Sequence, residues 1–89
     1  MENAVIINPN DSVVTVTEQI TKGGEVRYPG CAKPIVATQD IPMYHKIAIA
    51  AVKQGQNVLR YGERFGVASK DINIGDHVHV HNVNSVRAV

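Results

Sequence analysis

The chain is poor in several things at once. Its 89 residues contain one cysteine, Cys31, no tryptophan and only four aromatic residues, Tyr28, Tyr44, Tyr61 and Phe65. A single cysteine excludes an internal disulfide and suits a reducing compartment. So few aromatics leave little for a base-stacking platform. Neither charge sign dominates: nine basic residues face eight acidic ones, for a net charge of +1 with no block of either sign. Nucleic-acid binding normally rests on a basic face that neutralises several phosphates, and that is missing. The N-terminal "MENAVIINPND" has no basic stretch followed by an apolar run, so no signal peptide is read. No apolar stretch approaches the ~20 residues of a membrane helix. The expectation is a soluble, cytoplasmic protein that engages neither nucleic acid nor membrane. Phosphate-cradling glycine loops, zinc-finger spacings and carboxylate pairs suited to glycoside chemistry are absent too.

What remains is apolar, branched and punctuated. Hydrophobic residues make up 44% of the chain, broken by seven glycines and four prolines, a pattern that favours short strands over long helices. The length allows one domain, spanning 1–89. A domain this small buries only roughly 60–65% of the surface its unfolded chain exposes. Strands are expected at 4–7, 13–16, 25–28, 34–38, 46–49, 57–61, 66–69 and 77–82. One competing helical turn is expected around 50–53, ended by Gly55. Arg60, Glu63 and Arg64 read as a solvated turn punctuated by Gly62 and Gly66. A short pattern recurs three times: "ITKGGEV" at 20–26, "VKQGQNV" at 52–58 and "INIGDHV" at 72–78. Each copy has a branched apolar residue, two spacers, glycine, two spacers and valine. This describes a compact turn in which Gly23, Gly55 or Gly75 takes a backbone angle that a Cβ resists, followed at once by a strand.

The last of those strands is "HVHVHN" at 77–82, which holds three of the chain's four histidines. In an extended segment Val78 and Val80 would point to the core while His77, His79 and His81 share the other face. Neighbours in the row would then lie ~6.5 to 7 Å apart at Cα. Such a row could hold a metal, handle protons, bind an anion or sit in water. Two imidazoles at that spacing can lean onto one divalent ion with nitrogen bonds of ~2.0–2.1 Å. Three in a line do not easily reach the same ion, so a complete site would need ligands from another segment or another chain. The fourth histidine, His45, precedes Lys46. On a strand the two face opposite sides, but at its start both can line a pocket rim, the imidazole exchanging protons and the ammonium holding a carboxylate. Cys31 reads as a spectator, with no histidine and acid patterned around it.

Taken together, these pieces resemble one family. "IPMYHKIAIAAVKQGQNVLRYGERFGVASKDINIGDHVHVHN" is similar to the N-terminal SAF domain of altronate dehydratase over roughly 40–84, and more loosely over 4–35. The carrying features are His45-Lys46 before an apolar strand, Tyr61-Gly62, the Gly55 and Gly75 turns and the histidine row. Related small domains occur in galactarate dehydratase and in the sulfolactate sulfo-lyase small subunit. The resemblance implies an all-β SAF-type β-clip, a small and partly open barrel of short strands. It also implies a lyase that removes water from a sugar acid to give a 2-keto-3-deoxy acid, using a divalent metal, Fe2+ or Mn2+, bound here or mainly by a large catalytic subunit. The chain would then be the small subunit of a two-chain enzyme, inactive alone. In that setting His45, His79 and His81 are the candidate catalytic residues. Lys46, Tyr61 and Asn82 are the candidate substrate contacts, and His77, His79 and His81 the candidate metal ligands. Alternatives are a sulfo-lyase small subunit, or a non-catalytic module that binds sugar acids or regulates a larger chain. Self-association stays open.

Overall fold

The structure, a computed structural model, describes residues 2–6, 8–60, 63–79 and 81–85. It is all-β. Among the described residues nine short strands run in the order β1 (Ala4–Val5), β2 (Val13–Val16), β3 (Glu25–Val26), β4 (Ile35–Val36), β5 (Lys46–Ala48), β6 (Asn57–Arg60), β7 (Glu63–Ala68), β8 (His77–Val78) and β9 (Val83–Ser85). They form a four-stranded sheet ordered β1-β2-β5-β8, a β3-β4 pair and a β6-β7-β9 sheet, antiparallel throughout. The sheets do not close into a barrel, as expected of a SAF β-clip. Among the described residues no helix is long and apolar enough to cross a membrane.

The turn motif is the repeating unit of this fold, and it occurs four times. In the three glycine copies φ is +87° at Gly23, +87° at Gly55 and +96° at Gly75. In each, the residue before the first spacer is buried (Ile20, Val52, Ile72), as is the closing valine (Val26, Val58, Val78). The fourth copy is 41–47, in which Tyr44 takes the glycine position at φ +67°, between the fully buried Ile41 and Ile47. Each turn is closed by a backbone bond across four residues: Gly24 to Thr21, His45 to Pro42, Gln56 to Lys53 and Asp76 to Asn73, at 2.8–3.0 Å. A positive φ at the third turn position is the type II arrangement, which favours glycine there.

Each turn is also clamped to a distant strand by a reciprocal pair of bonds. The N–H of Gly23, Tyr44, Gly55 or Gly75 donates to the carbonyl of Ala37, Val16, Ala68 or Ala48. The same four residues donate back to the carbonyls of Gly24, His45, Gln56 and Asp76. The turns pair in twos, through an Ile20–Ile41 bridge and a Val52–Ile72 bridge. Each pair feeds its own core. Ile20, Val26, Ile41 and Ile47 pack with Val14 and Val16, while Val52, Val58, Ile72 and Val78 pack with Val13 and Ala48. Strands β2 and β5 therefore separate two small cores, their alternating side chains serving one on each face.

Several expectations are corrected. The helical turn at 50–53 does not form, because Val52 is drawn into the bridge with Ile72 and tertiary pairing overrides the local preference of the alanines. Arg60, Glu63 and Arg64, expected as a solvated turn, are strand residues: Arg60 ends β6, Glu63 and Arg64 open β7, and Arg60 pairs with Glu63. Gly66 lies within β7, where a Cβ would collide with the Asn84 carbonyl and the Val83 side chain. The extended segment at 77–82 is also lost. β8 ends at Val78, and the chain turns so that Asn82 and Val83 both donate to the His79 carbonyl. Strand β9 follows, which the sequence reading missed. Tyr61 and Val80 lie outside the described residues.

The turns differ in how much room they leave. A Cβ at Gly55 meets nothing within 4 Å, whereas one at Gly75 would strike the Val36 carbonyl. Gly55→Ala should therefore cost about 1 kcal/mol, the left-handed penalty alone. Gly75→Ala should cost about 3 kcal/mol or more through the added backbone collision. Urea denaturation of both variants checks the order, and equal losses would refute the contact argument.

Candidate functional site

The site grows from the pairing of β5 with β8, whose register sets Lys46 opposite Val78 and Ile47 opposite His77. On that register His45, Ile47 and His77 share one face of the sheet, and Lys46, Ala48 and Val78 the other. His45 sits at the end of its turn and His77 one residue beyond the end of its own. Two adjacent turn units thus bring residues 32 positions apart into contact: His45 Nδ1 lies 2.9 Å from His77 Nε2. Continuing the register places His79 opposite His45, with ring centroids 4.8 Å apart. His77 and His79 stack at 5.8 Å with an interplanar angle of 8°. His81 completes the group, 5.3 Å from His77.

All four histidines therefore converge, by a route other than a straight strand. The turn at 79–82 folds His81 back, and Asn82 holds that turn from inside. Asn82 is 3% exposed. Its Oδ1 accepts from the His79 N–H at 3.0 Å and its Nδ2 donates to the His77 carbonyl at 2.8 Å. The carboxamide proposed as a substrate contact is here engaged by the loop's own backbone. Gln39 secures the neighbouring residue by accepting from the His77 N–H at 3.0 Å. Thr38 donates to Asp76 Oδ1 at 2.6 Å. None of Thr38, Gln39 and Asp76 was singled out from sequence, because their link to the histidines is made across the fold.

The four rings differ in exposure. His79 and His81 are exposed, while His45 and His77 are half-buried. Burial, then the positive charge of His45, His81, His79 and Lys46 when protonated, lowers the His77 pKa from 6.5 to about 4. At neutral pH His77 is a neutral imidazole. In its bond with His45 one ring donates and the other accepts, so fixing one tautomer fixes the other. A proton taken up at one end of the pair can be passed on from the other. His81 and Asn82 also line a polar cleft of about 360 Å3 with Thr38, Gln39, Lys70, Asp71 and Asp76. A second groove of about 380 Å3, bounded by Ile6, Pro9, Tyr28, Pro29, Gly30 and Ile49, is mostly apolar and includes none of the histidines. The polar cleft is the one with chemistry. Among the described residues, no three histidine, cysteine or acidic side chains are arranged to hold a metal ion. His77, His79 and His81 thus do not by themselves fit a closed metal site.

The chain matches the family described as the altronate/galactarate dehydratase SAF domain over residues 2–86. It belongs to that family. It is 35% identical to altronate dehydratase of Bacillus subtilis over 96% of this chain and 17% of that protein. It is 33% identical to the Escherichia coli altronate dehydratase over 89% of this chain and 16% of that one. It is also 42% identical to (2R)-sulfolactate sulfo-lyase subunit alpha of Paracoccus pantotrophus, over 60% of this chain and 79% of the relative. The SAF domain thus spans about a sixth of the dehydratases it matches.

The depressed His77 pKa has a stability consequence. Below pH 6.5 the unfolded chain takes up a proton on this ring that the folded chain refuses until about pH 4. Stability conferred by the neutral ring is complete above pH 6.5 and is lost as pH falls from there to about 4. His77→Asn should flatten that part of the profile relative to the parent. Urea midpoints measured between pH 7 and pH 4 check this, and parallel curves would exclude it.

Proposed function

We propose that this chain is the small subunit of a two-chain hydro-lyase acting on an altronate-type sugar acid, and that its histidine cluster forms one wall of the active site. The observation that carries this reading is the convergence of four imidazoles, two from adjacent turn units and two exposed ones from the turn that follows, in a domain whose relatives are named as dehydratase and sulfo-lyase.

Dehydration to a 2-keto-3-deoxy acid requires removal of the proton beside the carboxylate and departure of the β-hydroxyl as water. The exposed rings of His79 and His81 are assigned to proton transfer, one as base towards the acidic C–H and one as donor towards the leaving hydroxyl. His45, bonded to the neutral His77, is assigned to relaying the proton and resetting the pair. Lys46 faces the other side of the sheet from His45 and His77, so the carboxylate and the developing enediolate are assigned to cations of the large subunit, and Tyr61 to the substrate hydroxyls. Asn82 serves by holding the loop that presents His79. An 89-residue domain has little room to enclose such a substrate away from water. The remaining wall is therefore assigned to a large catalytic subunit. The divalent metal, Fe2+ or Mn2+, would be held chiefly by that subunit, because among the described residues the chain's donors do not form a set of three. When bound it would supply Lewis acidity towards the substrate oxygens.

A second reading has its own support. The sulfo-lyase subunit alpha is matched over most of its length, so a sulfonated hydroxy acid that loses sulfite by the same β-elimination is the alternative substrate.

Co-expression of the two chains, followed by assays of hexonate dehydration and of sulfite release from sulfolactate, separates the readings. His79→Ala and His81→Ala should each lower kcat by about 10²-fold or more, the usual scale for lost acid–base catalysis. Activity within a few-fold of the parent would remove the cluster from the mechanism.

A further inference from the structure

Four turns of one design carry this fold, and three of them place glycine at the left-handed position. The fourth places Tyr44 there, the only non-glycine residue with positive φ among the described residues. A bulky aromatic residue at φ +67° is strained where glycine is not. Packing offers no compensation, since Tyr44 is 67% exposed and its neighbour Met43 51% exposed. The Tyr44 backbone donates to Val16, which donates back to His45, and glycine at this position would keep both bonds. The phenol side chain therefore does nothing for the fold that glycine would not do better. It stands directly before His45, whose ring touches those of His77 and His79.

We propose that Tyr44, with Met43 beside it, is the contact through which the domain seats a large lyase polypeptide over the histidine cluster. This rests on the two-chain reading above. Tyrosine and methionine are enriched in the cores of protein interfaces, and a tyrosine whose backbone is already fixed gives up little freedom on docking. The occupant follows from the comparisons. In the altronate dehydratases the matched segment is 17% and 16% of the chain, so there the domain is joined to a much larger body. In this chain the exposed aromatic is the residue next to His45, so a body covering the histidines would pass beside it.

The test uses the large chain that co-purifies with this one, the parent small chain, and the Tyr44→Gly and Tyr44→Phe variants. The urea midpoint of Tyr44→Gly alone should equal or exceed that of the parent, while its Kd for the large chain rises at least tenfold. Tyr44→Phe should keep affinity within about threefold, because the ring and not the hydroxyl makes the contact. A lower midpoint for Tyr44→Gly would make the tyrosine a structural residue and overturn the proposal. So would unchanged affinity in a complex where His79→Ala abolishes activity, an outcome that leaves the two-chain reading intact. Self-association of the small chain that Tyr44→Gly abolishes would assign the ring to a second copy instead. If no large chain binds the parent, the two-chain reading itself falls, and this proposal with it.

Discussion

The fold depends on one device: a tight turn whose left-handed residue and the residue after it are clamped to a distant backbone by two reciprocal hydrogen bonds. Fixing a residue at positive φ is costly for anything but glycine, and a lone turn would not stay put. Here the first and last side chains of each unit are buried apolar groups, so burial holds the ends while the clamp holds the middle. Four repetitions give eight anchors, which make up half of the two cores. A chain too small for one large core builds two lesser ones on either face of β2 and β5. Their stability is coupled, because Val13 and Val14 are neighbours that serve opposite sides.

The same device positions the chemistry. The turns at 41–47 and 72–78 feed strands that lie side by side, so residues just past the left-handed position meet across β5 and β8. In the glycine turns at 20–26 and 52–58 those positions carry Gly24, Glu25, Gln56 and Asn57. In the other two turns they carry His45 and His77. Architecture supplies the proximity, and local sequence supplies the imidazoles. Asn82 adds the last step through one carboxamide bond each to the backbone of His77 and His79, which holds the turn that brings the other rings to the first pair.

Much of this was legible in the sequence, for a physical reason. Glycine at a left-handed position leaves a mark, so three of the four turns were visible, with their buried ends. The fourth was hidden because Tyr44 bears no such mark. The histidines were recognisable as a group, but the alternation of "HVHVH" pointed to a straight strand. A two-residue period describes side chains only while the backbone stays extended, and it carries no information about an asparagine that captures the chain five residues on. Thr38, Gln39 and Asp76 stayed unseen because their ties to the site cross the fold. β9 offered too few apolar residues to register, since its pairing with β7 depends on the missing side chain of Gly66 rather than on any pattern of its own.

The crowding of the imidazoles also bears on what the cluster can do. An anion-binding group of histidines works as cations, and each added ring should then strengthen it. Here each added ring makes protonation of His77 harder, and burial does so before any of them. Covering the cluster with a second polypeptide would strip more water from His77 and disfavour its charged form further. A neutral His77 in contact with His45 is suited to accepting a proton and handing it on. On the reading proposed above, that suits the pair to an elimination, in which one proton is taken and another given.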